Sequence, residues 1–112
     1  MTTHKLRLSS EPFSLIANGS KTIESRLFDD KRRLINVGDE LIFTNRDDST
    51  QNVSAKVIGV LRFKTFHDLF ANNPIEKFGG ESVEWLENQI NKFYTPEDQA
   101  KNGVIGIEFE LL

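Results

Sequence analysis

Gly19-Ser20-Lys21-Thr22-Ile23-Glu24-Ser25-Arg26-Leu27-Phe28 is the stretch on which the reading of this chain turns. Thr22, Ile23 and Phe28 are strand-forming residue types. Three charged side chains, Lys21, Glu24 and Arg26, set into a strand just after a glycine are hard to account for by solvation alone. Regular alternation predicts Lys21, Ile23 and Ser25 on one face, and Thr22, Glu24 and Arg26 on the other. A bulge would re-aim any of them.

Upstream, Lys5-Leu6-Arg7-Leu8 alternates polar and apolar and predicts a short strand. Ser9 or Ser10 offers an N-cap, Glu11 and Pro12 suit a first helical turn, and Phe13, Ile16 and Ala17 follow at helical spacing. Asn18-Gly19 ends that helix. Downstream, residues 29–35 read as a capped helical turn, and Val37-Gly38-Asp39 turns into a strand over 40–44. The polar run 45–52 reads as a hairpin loop, followed by a long strand over 53–63 in which Gly59 marks a bulge or bend. Phe66, Leu69 and Phe70 share one face of a helix within 65–72. Ser82 caps a longer helix from Val83 to about Phe93, and Thr95-Pro96 caps another turn. Residues 104–112 close the chain as a strand. This pattern predicts an α+β fold, a curled or closed sheet with helices packed on its outside.

With 112 residues, 38% of them apolar and 28% charged, the chain is read as one globular domain over 1–112 rather than a disordered segment. It contains no cysteine, which excludes disulfides and thiolate metal sites and fits a reducing compartment. Met1–Lys5 is polar with no apolar run behind it, and no run approaches the roughly 20 residues of a membrane helix. A cytoplasmic protein with no membrane partner is therefore expected. The net charge of −3 does not announce a nucleic-acid binder, so an anionic ligand would need a local basic cluster. Such a cluster exists in Lys21, Arg26, Lys31, Arg32 and Arg33. His4 and His67 have no partner at metal-ligand spacing, and no phosphate loop, zinc motif or serine elbow occurs. Neither metal nor cofactor is expected.

Residues 19–26 spell G-x-K-x-x-E-x-R. After them come Val37-Gly38-Asp39-Glu40-Leu41-Ile42-Phe43, Phe63-Lys64-Thr65-Phe66-His67-Asp68-Leu69-Phe70, Tyr94-Thr95-Pro96-Glu97-Asp98 and Gly103-Val104-Ile105-Gly106-Ile107-Glu108-Phe109. In that order and spacing they resemble the ASCH domain, a branch of the PUA-like superfamily. The resemblance implies a six-stranded or similar β-barrel with flanking helices, a cleft lined by the signature residues, and RNA-related binding. One bacterial branch of similar size hydrolyses N4-acetylcytidine with a Lys, a Thr and a Glu. Here Glu24 stands where that branch has its Thr, Thr22 lies on a different register, and the acidic partner falls within 76–81.

The candidate ligand-binding residues are thus Lys21, Thr22, Glu24, Arg26 and Tyr94. Lys21 can bind an oxygen as an ammonium or act as a base as an amine. Arg26 offers a planar fork to phosphate, carboxylate or a base edge. Glu24 can accept from an exocyclic amine or ribose hydroxyl, or simply neutralise Lys21 or Arg26. Tyr94 can stack on a base or serve as a helix-end packing residue. Trp85 is assigned to packing. The leading expectation is a binding module for RNA or a modified nucleoside. The alternatives are an amidohydrolase acting on N4-acetylcytidine-like nucleosides or a ribonuclease, with Lys21 and Glu24 catalytic, and a protein–protein module.

Overall fold

The computed structural model describes residues 1–112. In chain order it contains β1 (Thr3–Leu8), α1 (Ser10–Ala17), β2 (Ile23–Leu27), β3 (Glu40–Asn45), β4 (Asp48–Phe63), α2 (Phe66–Ala71), α3 (Val83–Ile90), α4 (Pro96–Asn102) and β5 (Val104–Leu111). Single 3-10 turns occupy Arg32–Leu34 and Ile75–Phe78. The strands form one mixed sheet in the order β1-β3-β4-β5-β2, with β1 parallel to β3 and the other pairs antiparallel.

The edges of this sheet, β1 and β2, do not pair with each other. They come together through a side chain, because the Arg26 guanidinium on β2 donates to the Arg7 carbonyl on β1 at 2.8 Å. The sheet is therefore a curled half-barrel of five strands, not the six that the family resemblance implied, and its seam is polar.

Alternation gives each face its own core. On the inner face Leu6, Leu8, Leu41, Phe43, Val57, Ile105, Ile107 and Phe109 pack with Phe13 and Ile16 of α1. On the outer face Ile23, Leu27 and Val104 pack under Phe66, Leu69 and Phe70 of α2, Phe78, and Leu86 of α3. Register explains the division: Ile23, Ser25 and Leu27 stand opposite Glu108, Gly106 and Val104, while Glu24 and Arg26 stand opposite Ile107 and Ile105. Both charged residues of β2 thus point to the inner face.

Local expectations mostly hold. Thr65, Ser82 and Thr95 accept from the backbone N–H of Asp68, Trp85 and Asp98, and Asp98 returns the bond to the Thr95 N–H. The register of β4 against β5 shifts between Val57 and Gly59, as the glycine foretold. The polar stretch 45–52 is not a long loop. Only Arg46 and Asp47 turn, and β4 begins at Asp48. A polar composition looked like a loop, but Asn45 is buried with its amide donating to Gln51 and its oxygen accepting from the Asp47 N–H. Helix α3 stops at Ile90 rather than near Phe93, and the N–H groups of Phe93 and Tyr94 both return to the Ile90 carbonyl.

Candidate functional site

Gly19 takes φ +85°, a left-handed conformation that costs a glycine little, and its N–H bonds the Ile16 carbonyl. The Lys21 N–H then turns back to the Leu15 carbonyl at 2.9 Å. Regular strand begins only at Ile23. The simple alternation that set Lys21 apart from Glu24 therefore fails, since Lys21 lies in the turn and its ammonium reaches Glu24 Oε1 at 2.9 Å. The stem of Lys21 is hemmed in, for a Cβ on Gly79 would stand 3.2 Å from both Lys21 Cβ and Leu15 Cδ1.

Glu24 sits at the centre, only 4% exposed. Its Oε1 receives Lys21 Nζ and the Ser25 N–H (3.0 Å), and its Oε2 receives Arg26 Nε (3.1 Å) and NH2 (2.9 Å). A carboxylate has about four acceptor positions, so all of them are taken within the chain. Burial by itself would push this carboxyl up, but the Lys21 and Arg26 cations overcome it and hold the pKa at about 2. For Arg26, burial works to lower the pKa and the Glu24 carboxylate, with help from the Tyr94 phenol, outweighs it, so its pKa is raised.

Glu24 is thereby an anchor that fixes two cations. Lys21 spends one N–H on it and Arg26 spends the Nε edge, with NH2 also holding the Arg7 carbonyl. The remaining ammonium protons and NH1 of Arg26 are donors without a partner in the chain, and both residues line the same cleft.

That cleft, about 360 Å³, occupies the seam between the edge strands. Ser9, Pro12 and Leu15 wall one side, and Trp85, Ile90 and Phe93 wall the other. Its cations are Arg7, Lys21, Arg26, Arg46 and Lys92, and its carboxylates are Glu11 and Glu24. Five positive charges against two negative ones leave the cleft at +3 on a chain whose net charge is −3. Arg7, Arg46 and Lys92 take part in no ion pair.

Of the residues singled out from sequence, the fold brings Lys21, Glu24, Arg26 and Tyr94 to the cleft. Thr22 is not part of the lining. Its backbone serves the fold instead, donating to the Lys77 carbonyl and accepting from the Phe109 N–H. Tyr94 stacks on Phe66 at 5.7 Å between ring centroids with 17° between planes, so one face is packed while the side chain still borders the cleft. Glu76 and Glu81 are exposed and do not line the cleft. No group of three or more His, Asp or Glu side chains is placed to hold a metal.

Sequence reasoning did not nominate Arg7, Arg46, Lys92 or Phe93, and it assigned Trp85 to packing alone. Trp85 does pack against the outer core, but it also faces the cleft. Phe93, 62% exposed beyond the end of α3, was the one legible signal, because a large ring left outside both helix and core is uncommon.

The family model described as the ASCH domain matches residues 6–112. The hypothetical protein PH0355 superposes with a TM-score of 0.87 at 33% identity, over 99% of this chain and 100% of that one. Protein PF0455 from Pyrococcus furiosus gives 0.77 at 29% identity, over 99% and 98% of the two chains. The crystal structure of ASCH from Zymomonas mobilis gives 0.67 at 14% identity, over 95% of this chain and 65% of that one, a likeness of fold. No curated protein matches the chain. No helix is long and apolar enough to cross a membrane.

Proposed function

This chain belongs to the ASCH domain family, and on that premise we propose that the seam cleft is a non-catalytic binding site for RNA or a modified nucleoside. The observation that carries the reading is the concentration of five cations around a cleft in an acidic chain, two of them locked in place by a saturated carboxylate. Lys21 and Arg26 present donors only. They suit ligand oxygens, either phosphate or a base carbonyl, rather than the exocyclic amines that a free Glu24 would have received. Trp85, Phe93 and Tyr94 supply aromatic surface for a base. Work in the cytoplasm belongs to the same reading, supported by a chain without cysteine.

The amidohydrolase and ribonuclease alternatives need Glu24 to move protons. A general acid or base works best with a pKa near the operating pH, and this carboxyl is held at about 2 with every acceptor position occupied. That supports binding over catalysis.

The test is titration of the purified protein with single-stranded RNA and with cytidine and N4-acetylcytidine, over a range of salt. Lys21→Met, which keeps the apolar stem, and Lys21→Ala should weaken the bound probe about tenfold or more, the value of one charged hydrogen bond, while circular dichroism stays native. Parent-like binding by both variants removes the proposal. Cytidine released from N4-acetylcytidine by the parent but not by Lys21→Met would restore the hydrolase reading.

A further inference from the structure

The basic run Lys31-Arg32-Arg33 contributes nothing to the cleft, although it is among the densest positive charge in the chain. The fold joins it to a residue far away in sequence. Phe28, just past the end of β2, is half-buried, and its N–H bonds the Gly103 carbonyl. The guanidinium carbon of Arg33 lies 4.5 Å from the Phe28 ring centroid, and that of Arg62, on β4, lies 5.2 Å from it. Two guanidinium groups gathered on one ring repel each other, and a neighbouring carboxylate is the usual compensation.

None compensates them here. Asp29 is occupied by Arg32, which donates to it from both backbone (3.1 Å) and NH1 (3.0 Å), and neither Arg33 nor Arg62 enters an ion pair. Both are exposed. The same turn also holds Arg32 Nε, a buried side-chain nitrogen with no acceptor in the chain. The cluster therefore has planar donors, a ring that pre-orients them, and no internal anion.

Its position relative to the cleft follows from strand register. Arg26 stands opposite Ile105, and Ile105 stands opposite Arg62, so Arg26 and Arg62 occupy one row on the same face of the sheet, two strands apart. Two strand spacings are about 10 Å. Phe28 is two residues beyond Arg26 along β2, or about 7 Å. We infer that Arg33 and Arg62, held on Phe28, form a second anion site that takes a backbone phosphate flanking the nucleotide in the seam cleft. The ligand of the cleft is then a polynucleotide strand, not a free nucleoside. This rests on the cleft reading and deepens it.

The experiment uses the full chain and a mixed-sequence single-stranded RNA octamer, with affinity measured from low to moderate salt. For single strands the slope of log K against log salt is about −0.7 per phosphate contact. In Arg33→Ala/Arg62→Ala the slope should become shallower by about 0.7 to 1.4, with affinity at low salt falling about tenfold or more. Arg33→Lys/Arg62→Lys, which keeps both charges, should retain most of the slope and guards against misfolding as the cause. Unchanged affinity and slope in the double alanine variant, with Lys21→Met still weakened, overturns the second site and leaves the cleft standing. An octamer that the parent does not bind, or binds equally well after Lys21→Met, overturns both.

Discussion

Glu24→Gln is the perturbation that most directly tests the account of the cleft. In the folded chain the Glu24 carboxyl is held at about 2, against an ordinary value of 4.5. Each pKa unit is worth about 1.36 kcal/mol, so ionised Glu24 contributes about 3 kcal/mol of stability at neutral pH. A second route gives a similar size, since removing one partner from a buried ion pair costs about 3–5 kcal/mol, and Glu24 has two cationic partners with side chains only 13% and 14% exposed. The sign follows from linkage. A depressed folded pKa gives a contribution that is complete above about 4.5 and is lost as pH falls toward 2. Urea unfolding should therefore show Glu24→Gln less stable by about 3 kcal/mol at pH 7, a midpoint lower by roughly 1–3 M. The gap between parent and variant should close progressively from about pH 4.5 to pH 2. Equal midpoints at pH 7, or a gap that ignores pH across that range, would refute the claim that Glu24 is ionised and anchored by Lys21 and Arg26.

Three further outcomes are expected. Gly80→Ala places a Cβ 2.5 Å from Leu86 Cδ2 and 3.1 Å from Trp85 Cε3, so α3 must shift, at a cost of about 1–3 kcal/mol, and probe affinity should fall with it; a native melting temperature would count against the packing described. Thr95→Ala removes the capping box of α4 and should cost about 1 kcal/mol, read as a drop in thermal midpoint with RNA affinity nearly unchanged. Leu69→Ala, at a site with no exposure between α2 and β5, should cost about 2–5 kcal/mol in urea unfolding, and a loss below about 1 kcal/mol would mean that the outer core is looser than described.

The elements that could be read from the chain are those whose causes are local. An N-cap such as Thr95 acts on a backbone N–H three residues away, and a period-two pattern such as 104–109 needs no partner to be visible. The glycine bulge at Gly59 belongs to the same class. Residues 45–52 misled because composition stood in for conformation, and the buried side-chain bonds of Asn45 that make a tight turn possible connect residues only the folded hairpin brings together.

The signature at 19–26 identified Lys21, Glu24 and Arg26 as a unit, because three charges spaced along one short segment must act near one another wherever that segment lies. What each does was decided by tertiary structure. Glu24 became an anchor rather than a free acceptor because its burial against Ile107 left it nothing but Lys21, Ser25 and Arg26 to pair with. The cleft exists because the sheet curls until Arg26 meets the Arg7 carbonyl, closing a seam between strands that lie some twenty residues apart and never pair. The aromatic wall and the arginine pair on Phe28 came from equally distant segments. Local chemistry chose the donors; long-range packing chose what they face.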